Sequence, residues 1–432
     1  MEIKEIHQLF LKSAGVSTDT RKIKKNTIFF ALRGENFNAN QFALAALEAG
    51  AAYAVIDEDQ DAADPRLILV PNVLKSLQEL ATYHRQHCGI PVIGLTGSNG
   101  KTTTKELINS CLSRKYRTVA TLGNLNNHIG VPLTLLNLSD ETEIGIIEMG
   151  ANHPGEIAFL CSIAQPDFGY ITNFGKAHLE GFGSVEGVIK AKSELYDHLK
   201  NNGKLLFLNI DDTVQQQNAT YPNIYTFGNS NAEADVKVEY PITSKTAEVR
   251  FNGDVFSSVL TGSYNSVNIA AAICIGNYFK VPQEAIQKAI AAYTPTNNRS
   301  QLVTLGNNTL VMDAYNANPT SMRAALDSFQ NYPADKKWVI LGDMFELGAS
   351  SDVEHQEIES LVEKMDLEKA ILIGKNFSKV KTTGENISSI ENFQDLEAFI
   401  KQSPPEHCHI LVKGSRGMAL ERVQDMLKAL SI

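Results

Sequence analysis

Nowhere does the 432-residue chain run apolar for 18 residues in succession, so the sequence predicts no membrane-spanning helix. Its first residues, Met-Glu-Ile-Lys-Glu-Ile-His, mix charges and lack the apolar segment of an export signal. Cysteine is sparse. Cys88, Cys111, Cys161, Cys274 and Cys408 are widely scattered, form no CxxC pair, and read as buried or idle thiols of a reducing compartment. The expected location is therefore the cytoplasm. Positive charge is short as well, with 39 Lys and Arg against 49 Asp and Glu, a net charge of −10. That balance argues against nucleic acid or an anionic membrane as partner. A polyanionic ligand would have to be held by a few local lysines, arginines and glycine turns against the global field. Internal repeats and low-complexity tracts are also missing.

What remains is an ordinary globular composition, 43% hydrophobic and 20% charged. The chain is too long for one compact core and suggests two or three domains. Residues 1–88 mix short apolar runs (27–32, 52–56, 67–70) with helical stretches at 41–49 and 73–87. From Pro91 apolar runs alternate with helices: strands are expected at 92–96, 144–148, 168–172 and 204–208, a β-ribbon at 236–260, and helices at 267–278 and 283–293. Turn composition at 294–298 marks a second boundary. Beyond it strands are expected at 309–312, 338–341, 370–373 and 409–412, with a final helix presenting Ala419, Leu420, Val423, Met426, Leu427 and Leu430 on one face. The alternation predicts an α/β protein of three domains, at 1–88, 89–297 and 298–432, with a mostly parallel central sheet.

Gly97-Ser98-Asn99-Gly100-Lys101-Thr102-Thr103 follows an apolar run and precedes a helix. Such a turn aims backbone N–H groups and a helix dipole at phosphate. Lys101 would reach the outer phosphates of ATP, and the Thr102 hydroxyl would help bind Mg²⁺. The usual pattern has a glycine five places before Gly100, where this chain has Leu95. Phosphoryl transfer also needs a carboxylate for the cation, and Glu148, closing the run 144–147, is the candidate. Position alone does not separate it from a solvated strand-end glutamate. A lone histidine such as His178 is more often structural, and spacing alone reads Lys190 and Lys192 as two solvated lysines.

These motifs together resemble the Mur ligases of peptidoglycan synthesis, ATP-dependent amide-forming enzymes whose relatives include folylpolyglutamate synthases. The phosphate loop is similar to theirs with the altered first glycine included. The resemblance implies that Glu148 and His178 bind magnesium, that Asn127 is an active-site asparagine, and that Lys192 is carbamylated, so that two Mg²⁺ ions are held. Gly262-Ser-Tyr-Asn-Ser-Val-Asn268 resembles a family motif whose last Asn meets adenine, which implies that role for Asn268. Tyr264 stands where the family has His, and its role stays open. Arg299 and Asp313 fall where the family reaches ATP from the C-terminal domain. Asp313-Ala-Tyr-Asn-Ala-Asn-Pro-Thr-Ser-Met322 is similar to the version found in the member that adds D-alanyl-D-alanine to a UDP-N-acetylmuramoyl (UDP-MurNAc) tripeptide. Residues 341–348 and 412–418 agree with that member. Tyr315, Asn316 and Asn318 would then face the dipeptide, and Thr18, Asp19, Thr20, Arg21 and Gly34 the UDP-sugar. The resemblance further implies a small N-terminal α/β domain, a central ATP domain, a Rossmann-like C-terminal domain and a monomer. Two other readings are a sister ligase adding a single amino acid and a nucleotide switch without ligase chemistry. Tyr315-Asn-Ala-Asn318 argues against the first, and His178 with Lys192 against the second.

Overall fold

Three main sheets follow one another along the chain in the computed structural model, which describes residues 1–60, 64–230, 233–241, 246–296 and 298–430. The first is built from four parallel strands, Val16–Ser17, Ile28–Phe30, Tyr53–Ile56 and Leu67–Leu69, in chain order. Ile28, Phe29 and Phe30 are all fully buried, as a parallel strand covered on both faces requires. The stretch expected to be helical from residue 41 begins instead as a 3₁₀ turn, Ala39–Phe42, because the Asn38 side chain accepts from Asn40 N. The α-helix proper is Ala43–Glu48.

Helix Val73–Cys88 opens on an Asn72 side-chain cap and closes at left-handed Gly89. It packs against helices Ile3–Phe10, Gly130–Leu135 and Glu156–Ala164. One apolar core therefore runs from Ile6 through Leu77 and Val131 to Leu208.

The second sheet has nine strands. Seven are parallel: Thr118–Ala120, Ile144–Glu148, Val92–Thr96, Phe168–Ile171, Leu205–Asn209, Ile224–Asn229 and Val236–Glu239 in spatial order. The expected ribbon at 236–260 is thus half correct. Its first strand joins the parallel set, and Glu248–Phe251 with Asp254–Ser257 forms an antiparallel edge; residues 242–245 lie outside the described residues. Val92–Thr96 has Ile144–Glu148 on one side and Phe168–Ile171 on the other, so the direction of winding reverses there. Open α/β sheets bind ligands beyond the strand ends at such a point. Helices Lys101–Leu112 and Tyr264–Tyr278 cover this region, the second buried on nearly every side.

The third sheet runs Gln301–Leu305, Asn308–Asp313, His409–Lys413, Lys337–Gly342, Lys369–Ile373, Ile387–Ile390, parallel except for the first strand. The final helix is shorter than its apolar pattern implies. Arg416–Met418 is a 3₁₀ turn ended by Ala419 at φ 49°, and the α-helix is Arg422–Ala429. Leu420 is buried from the loop, with Cδ1 close above Gly342 and Gly414. Apolar periodicity registered the burial but not the break.

Candidate active site

The phosphate loop leaves the end of strand Val92–Thr96 through Gly97 at φ 145°, where a Cβ would lie 1.9 Å from Thr172 Oγ1 and 2.9 Å from Thr172 N. No other residue fits there. Gly100 caps helix Lys101–Leu112, whose first N–H groups face a cavity of about 1070 Å³. Leu95, in place of the usual glycine, is fully buried in the strand and fills core, which leaves the turn itself to Gly97. Lys101 Nζ folds back onto Gly97 O at 2.7 Å and Ser98 O at 3.3 Å. Burial pulls its pKa below the usual lysine range, against the pull of Glu148, and an incoming phosphate would favour its charged form.

Glu148 is 1% exposed, which rules out a solvated strand-end carboxylate. Its Oε1 accepts from Thr102 Oγ1 at 3.2 Å and from Asn126 Nδ2 at 2.8 Å, and its N–H donates to Thr121 Oγ1 at 2.9 Å. Its Oε2 is buried without a hydrogen-bond partner, with Lys105 Nζ 4.0 Å away. A hydroxyl and an unsatisfied carboxylate oxygen beside a phosphate loop are hard oxygen donors of the kind Mg²⁺ takes, so these residues fit that ion. Asn127 lines the cavity, but its Oδ1 is occupied by Ile129 N and Gly130 N, capping the next helix. Its neighbour Asn126 holds the carboxylate.

The other expected metal residues separate. His178 lines the cavity at φ 52°, with Nδ1 2.5 Å from Glu346 Oε2, whose pKa that contact lowers. Lys190 is exposed, as spacing suggests, but Lys192 is 1% exposed, outside the cavity lining, with Nζ 5.4 Å over the Phe182 ring. Burial first and the charge of Lys101 second hold its pKa far below the lysine range. Among the described residues no three His, Cys, Asp or Glu side chains converge as a metal cluster.

The far wall comes from the third sheet. Arg299 lies with its guanidinium 3.6 Å over the Tyr315 ring, its Nε buried and without a hydrogen-bond partner. Asp313 accepts from buried Lys413 Nζ at 2.6 Å and from Ser300 N at 3.2 Å, and Lys413 also donates to Asn316 O. Asn318 Nδ2 reaches Asn99 Oδ1 on the phosphate loop, while its own Oδ1 caps Ser321 N. Asn268 lines the cavity with its amide committed at both ends, accepting from Thr104 Oγ1 and donating to Asn265 Oδ1. Lys176 Nζ binds Glu354 Oε1 at 2.6 Å, and Thr320 Oγ1 accepts from Lys176 N, so the loop after Phe168–Ile171 docks directly on the third-sheet unit.

Ser98 to Thr103, Asn127, Glu148, His178, Asn268, Arg299, Asp313, Tyr315, Asn316 and Asn318 thus share one cavity. Thr18, Asp19, Thr20, Arg21 and Gly34 do not line it. Asp19 caps the 3₁₀ turn Thr20–Lys22 and pairs with exposed Arg21, and Gly34 sits in the exposed hairpin Arg33–Gly34/Phe37–Asn38. Asn126, Lys105, Ser300 and Lys413 were missed. Only Lys413 carried a signal, a lysine ending an apolar run.

Residues 95–276 match the Mur ligase middle domain, and residues 298–416 the Mur ligase, glutamate ligase domain. The chain is 35% identical to the UDP-N-acetylmuramoyl-tripeptide–D-alanyl-D-alanine ligase of Bacillus subtilis (strain 168), over 96% of this chain and 93% of that one. It is also 35% identical to the enzyme of the same name from Escherichia coli (strain K12), over 94% and 92%. Among solved structures, MurF from Acinetobacter baumannii aligns with a TM-score of 0.87 at 30% identity, covering 98% of both chains. The MurF ligase from Thermotoga maritima in complex with ADP aligns at 0.85 with 26% identity, again covering 98% of both.

Proposed function

The chain belongs to the Mur ligase family, and from that premise we propose that it joins D-alanyl-D-alanine to UDP-N-acetylmuramoyl-tripeptide, using ATP, in the making of peptidoglycan precursor. One observation carries the reading at the level of residues. The phosphate loop, Glu148 and the stretch Asp313–Asn318 face a single cavity, so a nucleotide and an acceptor from the third-sheet side can meet. Residues 1–88, 89–297 and 298–432 are read as the UDP-sugar, ATP and dipeptide units, with Thr18–Arg21 and Gly34 on the first; the second boundary passes Asn297, outside the described residues.

A carboxylate does not accept an amine at neutral pH. Its oxygen attacks the γ-phosphorus, the bond to ADP breaks, and an acyl phosphate forms. The dipeptide nitrogen then bonds to the acyl carbon, and the C–O bond to phosphate breaks as the nitrogen sheds its proton. The loop N–H groups and Lys101 bind the triphosphate and stabilise charge moving onto ADP. Thr102 and Glu148 would hold Mg²⁺, which supplies charge neutralisation between the phosphates. Arg299 and Asp313 approach ATP from the opposite wall. Tyr315, Asn316 and Asn318 orient the dipeptide and, with the docked loop at 173–180, exclude water from the acyl phosphate.

Carbamylation of Lys192 belongs to the same reading. Burial first, and the charge of Lys101 second, push that amine toward the neutral form, which is the form that takes up CO₂. The product would be an anion, supplying the charge a second Mg²⁺ would need, where an ammonium would repel it. A cytoplasmic site of action, where both nucleotides are available, completes the proposal.

The test is phosphate release from ATP with the nucleotide tripeptide, with and without D-alanyl-D-alanine. Release dependent on the dipeptide is expected. Release without it, or stimulation by a single amino acid only, overturns the reading. Intact-mass measurement in bicarbonate, compared with Lys192→Ala, reads the carbamate.

A further inference from the structure

A hydrogen-bonded chain crosses from the phosphate-loop helix to the third sheet. Thr104 Oγ1 donates to Asn268 Oδ1 at 3.0 Å, and Asn268 Nδ2 donates to Asn265 Oδ1 at 2.8 Å. Asn265 Nδ2 donates to Ser300 Oγ at 3.2 Å, and the Tyr264 hydroxyl meets the same oxygen at 2.8 Å. Ser300 N donates to Asp313 Oδ1, whose other oxygen takes the Lys413 ammonium. Asn265, Asn268 and Ser300 are each under a tenth exposed. Ser300 holds φ 49°, a conformation a serine adopts at a cost of roughly 1–3 kcal/mol unless its surroundings enforce it. Here three partners do so: Tyr264 and Asn265 on its side chain, Asp313 on its N–H.

The residue preceding this pinned serine is Arg299. Its guanidinium lies over Tyr315, and its buried Nε has no hydrogen-bond partner. It therefore faces the cavity with a positive charge and donors to spare.

We propose that Tyr264 and Ser300 are positioning residues for Arg299: the Tyr264–Ser300 contact fixes the backbone from which Arg299 reaches the nucleotide, and registers that reach to the phosphate-loop helix through Asn265 and Asn268. This assigns position 264 and gives Asn268 a supporting role as well, because its amide links Thr104 to Asn265. The inference rests on the reading of the cavity as an ATP site.

The test measures ADP affinity by calorimetric titration for Tyr264→Phe, Ser300→Ala, Arg299→Ala and the double variants, with melting temperatures alongside. Arg299→Ala is expected to weaken ADP binding at least tenfold, and Tyr264→Phe and Ser300→Ala each about fivefold, the worth of one neutral hydrogen bond. In the Arg299→Ala background neither should weaken it further. Three results overturn the proposal: an undiminished effect in that background, which means Tyr264 touches the nucleotide itself; a lowered melting temperature with ADP affinity unchanged, which means packing only; or no effect of Arg299→Ala. ADP binding does not require peptide ligation. A failed ligation assay with ADP binding intact would therefore fault the substrate assignment and leave this result standing.

Discussion

Asn318 Nδ2 donates a 2.7 Å hydrogen bond to Asn99 Oδ1, joining the third-sheet unit to the crest of the phosphate loop across 219 residues of sequence. The loop is held from below at the same residue, since Asn99 N donates to Asn173 Oδ1 and Asn99 O accepts from Thr172 Oγ1. Asn318→Asp keeps an oxygen to cap Ser321 N but removes the donor to Asn99. Ligation is expected to fall about fivefold, the worth of one hydrogen bond, with the melting temperature unchanged. Phosphate release per peptide bond formed should rise, because a looser seal admits water to the acyl phosphate. Coupled phosphate and product assays check this.

Gly175 makes the same seal by closeness. A Cβ there would stand 2.8 Å from Thr320 Cγ2 and 2.9 Å from Asn99 Nδ2. Gly175→Ala should therefore wedge the two units apart at that point. The expected result is weaker use of the dipeptide, read as a raised KM, with ADP affinity nearly unchanged. An unaltered dipeptide KM would count against the docked arrangement as the working one.

Glu148→Gln preserves shape and the acceptor for Thr102 and Asn126 but discards the charge. Loss on the order of a hundredfold in kcat is expected, matching removal of several kcal/mol of charge stabilisation. The Mg²⁺ dependence of ADP binding, followed by titration with and without the ion, should flatten in the variant. That readout separates a lost cation from a distorted loop.

Apolar runs such as 92–96 and 144–148 were legible because a strand buried on both faces is apolar throughout, and the structure places strands at Val92–Thr96 and Ile144–Glu148. Gln301–Leu305 and Ile387–Ile390 escaped because they are edge strands, only partly covered, whose sequences mix apolar and polar residues and form no continuous apolar run. The phosphate loop and Glu148 could be read locally, since strand, turn and helix are contiguous. Asn126 and Ser300 could not. Each matters through a partner that only the fold brings close, Glu148 for one and Tyr264 and Asp313 for the other, and nothing in their own neighbourhood along the chain announces it. Lys192 shows the same limit: helical spacing does not say that the side chain will be buried with its ammonium over the Phe182 ring.

Lys413 is 2% exposed and its ammonium is 2.6 Å from Asp313 Oδ2. Removing one member of such a pair strands the other's charge. Lys413→Met should therefore cost roughly 3–5 kcal/mol of stability. Replacing both residues with Met and Leu should recover much of the stability and none of the activity. Urea unfolding of the single and double variants checks the first part, and the ligation assay the second.

Acid sensitivity is expected from a different place, the packing of helix Ile3–Phe10 on helix Val73–Cys88. His84 Nε2 lies 2.9 Å from Leu138 O and must donate to it, so His84 Nδ1 is an acceptor and His7 Nε2, 3.0 Å away, is its donor. His87, Tyr83 and Cys88 surround the pair, with Asp140 acting on His84 from beyond. Burial first, then His84 and His87, pull the His7 pKa from 6.5 down to about 4. The unfolded chain takes up this proton near pH 6.5 and the folded chain only near 4. More protons are bound when unfolded throughout that window, so stability is complete above it and is lost as the pH falls through it. His84, also lowered by burial, acts in the same direction. His7→Gln keeps an N–H for His84 but no longer titrates. Urea midpoints between pH 7 and 4 should therefore fall less steeply in the variant, by up to one proton's worth of slope. Parallel slopes would show that His7 does not carry the acid sensitivity.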